Sequence, residues 1–319
     1  MWVFWHTCHG SPGHFCGLVK VILSRKGFDS ATGGMPSPLL PDGTLLSLPI
    51  PARVGPHRFC DIRTPTGMSY ARVLRELGWK RARFSLGRRA NGDICHLDPD
   101  LRFATTGRAP GWRPAFGQVG VGQTQLQTPG PDRRGIAPGD LFLFFGWFRA
   151  AERLSGRLRF SPGTSAFHAL FGWLRVGHIV TLNNAAQRGA ALGDHPWLAT
   201  HPHACDADYW AQRICRNGDN RIYLSANGAG AAGTFRFAPS VRLTADGMSA
   251  SRWKLWPWLR KAGNARLSRC SDAARLDRAA GIFDTHAGRW QEMVVDVAQH
   301  PGVEAWATRL ISDYGEAGQ

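Results

Sequence analysis

Two long apolar segments limit the folds open to this chain more than any other feature of its sequence. They read GDLFLFFGWFR (residues 139–149) and FHALFGWLRVGHIVTL (residues 167–182). Aromatic and β-branched residues favour extended backbone, so both segments are predicted to be strands. Because nearly every position is apolar, we expect both faces of each strand to be covered. Gly172 and Gly177 predict bends or bulges in the second strand.

The rest of the chain is predicted to form shorter strands and two helices. Further strands are predicted at residues 19–23, 221–226, 234–238 and 241–245, and amphipathic helices at residues 69–79 and 301–315. The tryptophans around Pro257 predict a packed aromatic loop. Strands dominate and helices are peripheral, which predicts the α+β class.

The length and composition are those of a chain that can bury a substantial core. It has 319 residues, of which 43% are apolar. We expect one domain over residues 19–319, preceded by a non-native extension at residues 1–18 that results from the choice of translation start. No apolar stretch is long enough to span a bilayer, so no membrane partner is expected. The dispersed cysteines, without a CxxC pair, favour reduced thiols in a cytoplasm.

The charge is strongly positive. There are 39 basic and 23 acidic side chains, for a formal net charge of +16. Such a surplus predicts DNA or nucleotides as partners, through contacts with phosphate. The alternative is codon bias, since arginine far outnumbers lysine, as a GC-rich genome would produce.

The segment CHLDPDL (residues 95–101) carries the residues best suited to chemistry. His96, Asp98 and Asp100 alternate, so an extended backbone would point them the same way. They can act as a general base with its orienting carboxylate, or bind a divalent metal ion. His96-Leu97-Asp98 spells half of a two-histidine, one-carboxylate metal site, and Asp98-Pro99-Asp100 spells the DxD of metal-dependent sugar transferases. The structural alternative is a turn around Pro99 that is capped by Asp98.

A metal site of this kind needs a distant histidine. The candidates are His168, His178, His201 and His203, of which His201 and His203 alternate within HPH. The hypothesis for a divalent metal therefore uses His96, Asp98, His201 and His203. Two histidines alone are more often surface or hydrogen-bonded groups.

Polar residues elsewhere can complete a substrate site. Those predicted to bind substrate or phosphate are Ser24, Arg25, Lys26, Asp29, Arg113 and Gln118. The first four follow a short apolar strand, whereas Arg113 and Gln118 lie in a segment that interleaves arginine, aromatic and glutamine side chains, which can stack on bases or contact their edges. An ordinary glycine-rich loop explains the latter segment equally well. The GxGxxG at Gly228 to Gly233 precedes a strand rather than a helix, so a dinucleotide site is rejected.

Several of these segments resemble one protein family, the third of the nucleotide modification associated domains. They are KVILSRKGFDS, GGMPSPLLPDGTLLSLPIP, CHLDPDL, GWRPAFGQ, GDLFLFFGWFR and HPH. The resemblance implies a bacterial or phage protein that takes part in making hypermodified DNA bases, together with other DNA-modification enzymes. The two long strands are also similar to those of PUA-like β-barrels, which hold a modified or extruded base.

The leading hypothesis is an enzyme that acts on a nucleobase or nucleotide. His96, Asp98 and Asp100 would be catalytic, and Arg25 and Lys26 would hold phosphate or stabilise negative charge. The alternative is a non-enzymatic module that recognises a modified base in a pocket of Trp147, Phe171 and Trp173. A metal-dependent transferase is a third hypothesis.

Overall fold

The computed structural model describes residues 20–79, 93–120, 126, 135–206, 219–261, 276–285 and 292–318. The proposed N-terminal extension lies outside the described residues. All statements below concern the described part of the chain.

The chain forms short strands around two long ones. The strands are β1 (Lys20–Arg25), β2 (Ser37–Leu39), β3 (Ile50–Pro51), β4 (His57–Arg58), β5 (Ile94–His96), β6 (Ala115–Val119), β7 (Leu141–Leu154), β8 (Arg157–Phe160), β9 (Phe167–Thr181), β10 (Asn220–Ser225), β11 (Ala232–Phe235), β12 (Arg252–Lys254), β13 (Leu276–Asp277), β14 (Ile282–Asp284), β15 (Glu292–Asp296) and β16 (Gly315–Ala317). The helices are α1 (Tyr70–Glu76), α2 (Ala185–Asp194), α3 (Pro257–Lys261) and α4 (Val303–Tyr314), with 3-10 turns at Phe103–Thr105 and Pro196–Thr200. The strand-rich α+β class is confirmed.

The main sheet is built on the two long apolar strands. Its central path runs β15-β1-β7-β9-β10-β6, in which β1 and β7 are parallel and the other neighbours are antiparallel. A bulge between Phe144 and Phe145 interrupts the pairing of β7 with β9, next to Gly172. A side chain at Gly172 would lie 2.4 Å from Leu101, so this glycine lets the chain pack closely beside the sheet.

The two ends of this path lie close to each other. Gln118 on β6 donates a 2.7 Å hydrogen bond from Nε2 to Oε1 of Glu292 on β15. The ring of Phe116, also on β6, contacts Phe142 and Phe144 on β7 with ring centroids 5.0 and 5.1 Å apart. The sheet is therefore strongly curled, and its first and last strands share a side-chain layer. The PUA-like barrel remains a prediction.

Most predicted elements are present, and the errors have local causes. Residues 241–245 form isolated bridges instead of the predicted strand. Arg242 pairs with Ala169 and Thr244 pairs with Trp253, so the segment has no single partner strand. The packing of the tryptophans around Pro257 is confirmed, with Trp256 stacked on Trp258 at 5.3 Å. Their assignment to a loop is wrong for two of them, since Trp253 lies in β12 and Trp258 in α3. Helix α2 and strand β15 were not predicted.

Among the described helices, none has the length and apolar character that crossing a membrane requires.

Candidate metal centre

Three side chains from two distant segments form a group that can hold a metal ion. They are His96, at the end of β5, Asp98, and His203 in the loop after the second 3-10 turn; one ligand atom of each lies within 4.8 Å of the others. The 3-10 turn begins at Pro196 and is held by Trp197 and Leu198, which pack into a buried cluster. This anchoring brings the HPH segment to the end of β5.

The distances match those of ligands that share one ion. His96 Nε2 and His203 Nε2 are 3.2 Å apart, and they lie 3.8 and 3.7 Å from Asp98 Oδ2. Two ligand atoms bound to one ion at usual bond lengths are separated by roughly 3.0–3.6 Å in tetrahedral or cis-octahedral geometry. A small contraction of the three side chains would therefore complete the coordination.

The orientation of His203 is fixed by Asn220. The amide Nδ2 of Asn220 donates to the main-chain oxygen of His203, which leaves Asn220 Oδ1 facing His203 Nδ1 at 2.8 Å. His203 Nδ1 must then carry the proton and donate, so Nε2 keeps a lone pair towards the group. A hydrogen bond of this kind commonly orients a metal-binding histidine and raises its basicity.

Gly117 on β6 fits the same group. Its main-chain nitrogen donates a 2.8 Å hydrogen bond to Asp98 Oδ1. A Cβ atom at this position would lie 2.3 Å from the ring of His203, a separation that real side chains do not tolerate. Only glycine allows β6 to donate a hydrogen bond to Asp98 while the His203 ring packs directly against the strand.

His201 plays a different part. Its Nδ1 accepts a hydrogen bond from the main-chain nitrogen of His203, so the neutral ring carries its proton on Nε2. That nitrogen is buried, lacks a hydrogen-bond partner in the described structure, and lies 3.7 Å from Asp98 Oδ1. The geometry therefore suits His201 for orienting Asp98 better than for binding the ion, although the sequence hypothesis named it as a ligand.

The electrostatics of the group favour a bound cation. Burial raises the pKa of Asp98 to about 8, although the Gly117 hydrogen bond and Lys26 act to lower it. Burial, together with His203 and His96, places the pKa of His201 well below its usual value. A carboxylate that burial makes costly to ionise is short of positive charge, which a divalent ion would supply.

Asp100 does not belong to this group. Its two carboxylate oxygens accept hydrogen bonds of 2.5 and 2.6 Å from Arg108, and Trp112 Nε1 donates to one of them at 3.2 Å. The guanidinium of Arg108 also lies over the Trp112 ring, 4.1 Å from its centroid. Asp100 thus fixes the loop that follows it, and the geometry gives its predicted catalytic role no support.

A second polar group surrounds Glu292, which the sequence did not single out. Glu292 Oε1 accepts hydrogen bonds from Ser24 Oγ (3.0 Å), Lys26 Nζ (2.8 Å) and Gln118 Nε2 (2.7 Å). Three of the residues predicted to bind substrate are thereby brought together around one buried carboxylate. The pairing of β15 with β1 sets Glu292 opposite Ser24.

The other predicted substrate residues lie apart from both groups. Asp29 Oδ1 accepts hydrogen bonds from the main-chain nitrogens of Ala31 and Thr32, which closes a turn. Arg25 forms a 4.0 Å ion pair with Asp29, on its own side of that turn. Arg113 donates to the main-chain oxygen of Ser225.

The base pocket of Trp147, Phe171 and Trp173 stays a prediction. Phe171 packs against Phe144 and Phe148, whereas Trp173 packs against Phe235 and donates to the main-chain oxygen of Gly230. No ring contact joins Trp147, Phe171 and Trp173 in the described structure. The bulge in the pairing of β7 with β9 changes which residues of the two strands face the same side of the sheet.

A small cavity of about 60 Å³ borders Asp98 and Phe171. It can hold a few water molecules, but it is much smaller than pockets that bind drug-sized ligands, which are roughly 300–1,000 Å³.

Residues 20–296 match the protein family described as nucleotide modification associated domain 3. The chain belongs to this family. Membership confirms the resemblance noted in the sequence and associates the chain with nucleotide modification. No curated protein and no solved structure shows a significant match to the chain.

All residues of the metal-binding group and of the Glu292 group lie within the matched part of the nucleotide modification associated domain. The domain gathers them from segments as far apart as Ser24 and Glu292, which are separated by 268 positions. Glu292 was missed because its role depends on strand pairing over this distance; a charged residue that opens a short apolar strand was the only local signal.

Proposed function

We propose that this domain is a divalent-metal-dependent enzyme that acts on a nucleobase or nucleotide during DNA modification. The observation that carries the proposal is the convergence of His96 Nε2, His203 Nε2 and the Asp98 carboxylate within 3.2–3.8 Å. Two imidazoles and one carboxylate are a donor set used by catalytic zinc and by non-haem iron, and both leave coordination positions open. Family membership supplies the substrate class.

The residues of the group have separable roles under this proposal. His96, Asp98 and His203 hold the ion, Asn220 orients His203, and Gly117 orients Asp98. His96 keeps 17% of its side chain exposed, whereas Asp98 keeps 4% and His203 keeps 3%. Substrate would therefore approach from the side of His96. The bound ion would polarise a substrate oxygen or activate water.

The transferase hypothesis receives less support than this one. A DxD arrangement presents two carboxylates to a metal-bound nucleotide sugar, but the Asp100 carboxylate is fully engaged by Arg108 and Trp112. Asp98 alone faces the histidines.

The proposal is tested by mass spectrometry of nucleosides digested from DNA of the native host or phage. The strains compared carry the intact gene, a deletion, His203→Ala, or the control His178→Ala. His178 is an exposed histidine on β9. We expect a modified nucleoside to disappear in the deletion and in His203→Ala but to persist in His178→Ala, and its mass would identify the group transferred.

An unchanged nucleoside pattern in all four strains would contradict the proposal. The recognition-module hypothesis would then be favoured, and binding of the purified protein to modified DNA would test it.

A further inference from the structure

Glu292 is a buried carboxylate that is satisfied on one oxygen only. The residue is 1% exposed, and Oε1 accepts all three hydrogen bonds from Ser24, Lys26 and Gln118. Oε2 is buried and has no hydrogen-bond partner in the part of the chain that the structure describes. Buried acceptors in folded proteins nearly always have a partner, so an unpaired carboxylate oxygen indicates a missing donor.

Among the described donors around Glu292, Lys26 and Gln118 both keep N–H groups that Glu292 does not use. Gln118 Nε2 binds Glu292 while its Oε1 accepts from the main-chain nitrogen of Val119. Ser24 has a single hydroxyl proton, which it gives to Glu292. Lys26 uses one of its three N–H groups on Glu292, and its side chain is 10% exposed. In the described structure the group therefore offers one unpaired acceptor, Glu292 Oε2, beside two unused N–H groups of Lys26 and one of Gln118.

This group lies next to the metal-binding group. Gln118 follows Gly117, the residue that binds Asp98. Lys26 and Glu292 are both close enough to Asp98 to act on its pKa, which Lys26 lowers and Glu292 raises. The two groups are therefore neighbours in the fold, held by adjacent residues of β6. The Lys26 ammonium also lies 4.6 Å from the centre of the Phe116 ring, which restrains its position.

We propose that Glu292 and Lys26 recognise the lactam edge of a nucleobase, in which a ring N–H stands beside an exocyclic carbonyl. Thymine, uracil and guanine share this edge. Glu292 Oε2 accepts the ring N–H, and the Lys26 ammonium donates to the carbonyl oxygen, as lysine does to guanine O6 in DNA complexes. Cytosine and adenine present an amino group and a ring nitrogen in the reversed places. The inference rests on the proposed function, because it names the bases on which the proposed enzyme acts.

The test is calorimetric binding of four deoxynucleoside monophosphates to the Zn²⁺-loaded protein. We expect dTMP or dGMP to bind at least about 10-fold more tightly than dCMP and dAMP, since a site built for hydrogen bonds rejects ligands that leave its buried groups unpaired. N3-methyl-dTMP, which lacks the ring N–H, should lose the same factor relative to dTMP. This comparison uses the wild-type protein, so it does not depend on the folding of any variant.

Two variants then test whether Glu292 is the residue responsible for the base preference. Glu292→Gln places an amide N–H at one of the two oxygen positions and should abolish the preference for the lactam edge while Zn²⁺ content is retained. Glu152→Gln is the matched control, because Glu152 is 40% exposed and pairs with Arg159 on the surface; it should bind as the wild type does.

The outcomes separate the two proposals. Equal affinity for all four nucleotides, tighter binding of dCMP or dAMP, or no binding of any, with Zn²⁺ retained, would overturn the lactam inference alone. A wild-type protein that does not take up Zn²⁺ or Fe²⁺ would overturn the proposed function, whatever the nucleotide preference.

Discussion

Asp98 and Asp100 are two aspartates of one motif, separated by one proline, and the fold treats them in opposite ways. The side chains of both are nearly inaccessible, with exposures of 4% and 7%. Asp100 receives a bidentate pair from Arg108, whereas Asp98 faces three imidazoles and a main-chain N–H. A buried carboxylate with its own guanidinium is part of the scaffold. One that lacks a guanidinium partner and faces histidine side chains is suited to bind a cation from solution.

The largest effect is expected from removing the partner of Asp100. Arg108→Leu leaves a buried carboxylate without its counter-charge, and we expect the free energy of unfolding to fall by about 3–5 kcal/mol. Urea denaturation monitored by circular dichroism measures it.

The matched control for that change is Arg159→Leu, which removes a surface pair with Glu152 and should cost about 1 kcal/mol or less. Equal losses in the two variants would contradict the scaffold role of Asp100. The protein that remains folded in Arg108→Leu should still bind Zn²⁺.

The second-largest effect is expected from Gly117→Ala, which disturbs the surroundings of Asp98 and not those of Asp100. The new methyl group would overlap the His203 ring, so we expect a destabilisation of about 1–3 kcal/mol and a loss of Zn²⁺ affinity of at least about 10-fold. Gly189→Ala is the control: Gly189 lies in α2 with nothing within 4 Å of the added methyl group, and alanine there should be neutral or stabilising. A Gly117→Ala protein with wild-type Zn²⁺ affinity would argue against the geometry described for His203.

Asn220→Ala should weaken metal binding without removing a ligand. Without the hydrogen bond to His203 Nδ1, the proton can move to Nε2 and the ring can rotate. Such changes typically lower metal affinity by about 10–100-fold. Competition titration with a chromogenic chelator measures the change, with the exposed Asn227→Ala as control. If the two variants bind Zn²⁺ equally well, Asn220 has no part in orienting the site.

The smallest effect is the change in stability of the metal-free protein over about one unit of pH, from about pH 7 to about pH 8. Because the folded-state pKa of Asp98 is raised to about 8, the folded state binds more protons than the unfolded state between pH 4 and pH 8. This contribution lowers stability as pH rises through that window, by at most about 1.4 kcal/mol per unit. The lowered pKa of His201 acts in the opposite sense below its usual value, so the Asp98 slope should be clearest above pH 6.5.

Asp98→Asn should remove that slope, and saturating Zn²⁺ should remove it in the wild type, since the ion holds Asp98 ionised. A wild-type slope that persists in Asp98→Asn would assign it to another group.

The sequence identified the ligand-bearing motifs but did not separate their members. His96, Asp98 and His203 could be named because alternation and residue type point to a shared site. Asp98 and Asp100 looked alike, since the difference depends on where Arg108 folds back. His201 and His203 also looked alike, and only the hydrogen bonds of their Nδ1 atoms distinguish them.

Residues whose roles depend on distant strand pairing were beyond prediction. Glu292 gains its three donors only when β15 pairs with β1 and β6 curls towards them. The pocket of Trp147, Phe171 and Trp173 stays a prediction, because a bulge changes which residues of β7 and β9 face the same side of the sheet. Local patterns predict strands well, whereas bulges and sheet curvature are set by packing across the whole sheet.

The most direct measurement is the metal content and Zn²⁺ affinity of three folded proteins: wild type, Asp98→Asn and Asp100→Asn. All are purified without a metal-binding tag and analysed by inductively coupled plasma mass spectrometry and titration. We predict about one ion per chain in the wild type and in Asp100→Asn, and an affinity at least about 100-fold lower in Asp98→Asn. A wild type that binds no ion, or equal losses in the two variants, would contradict the division of roles between the two aspartates.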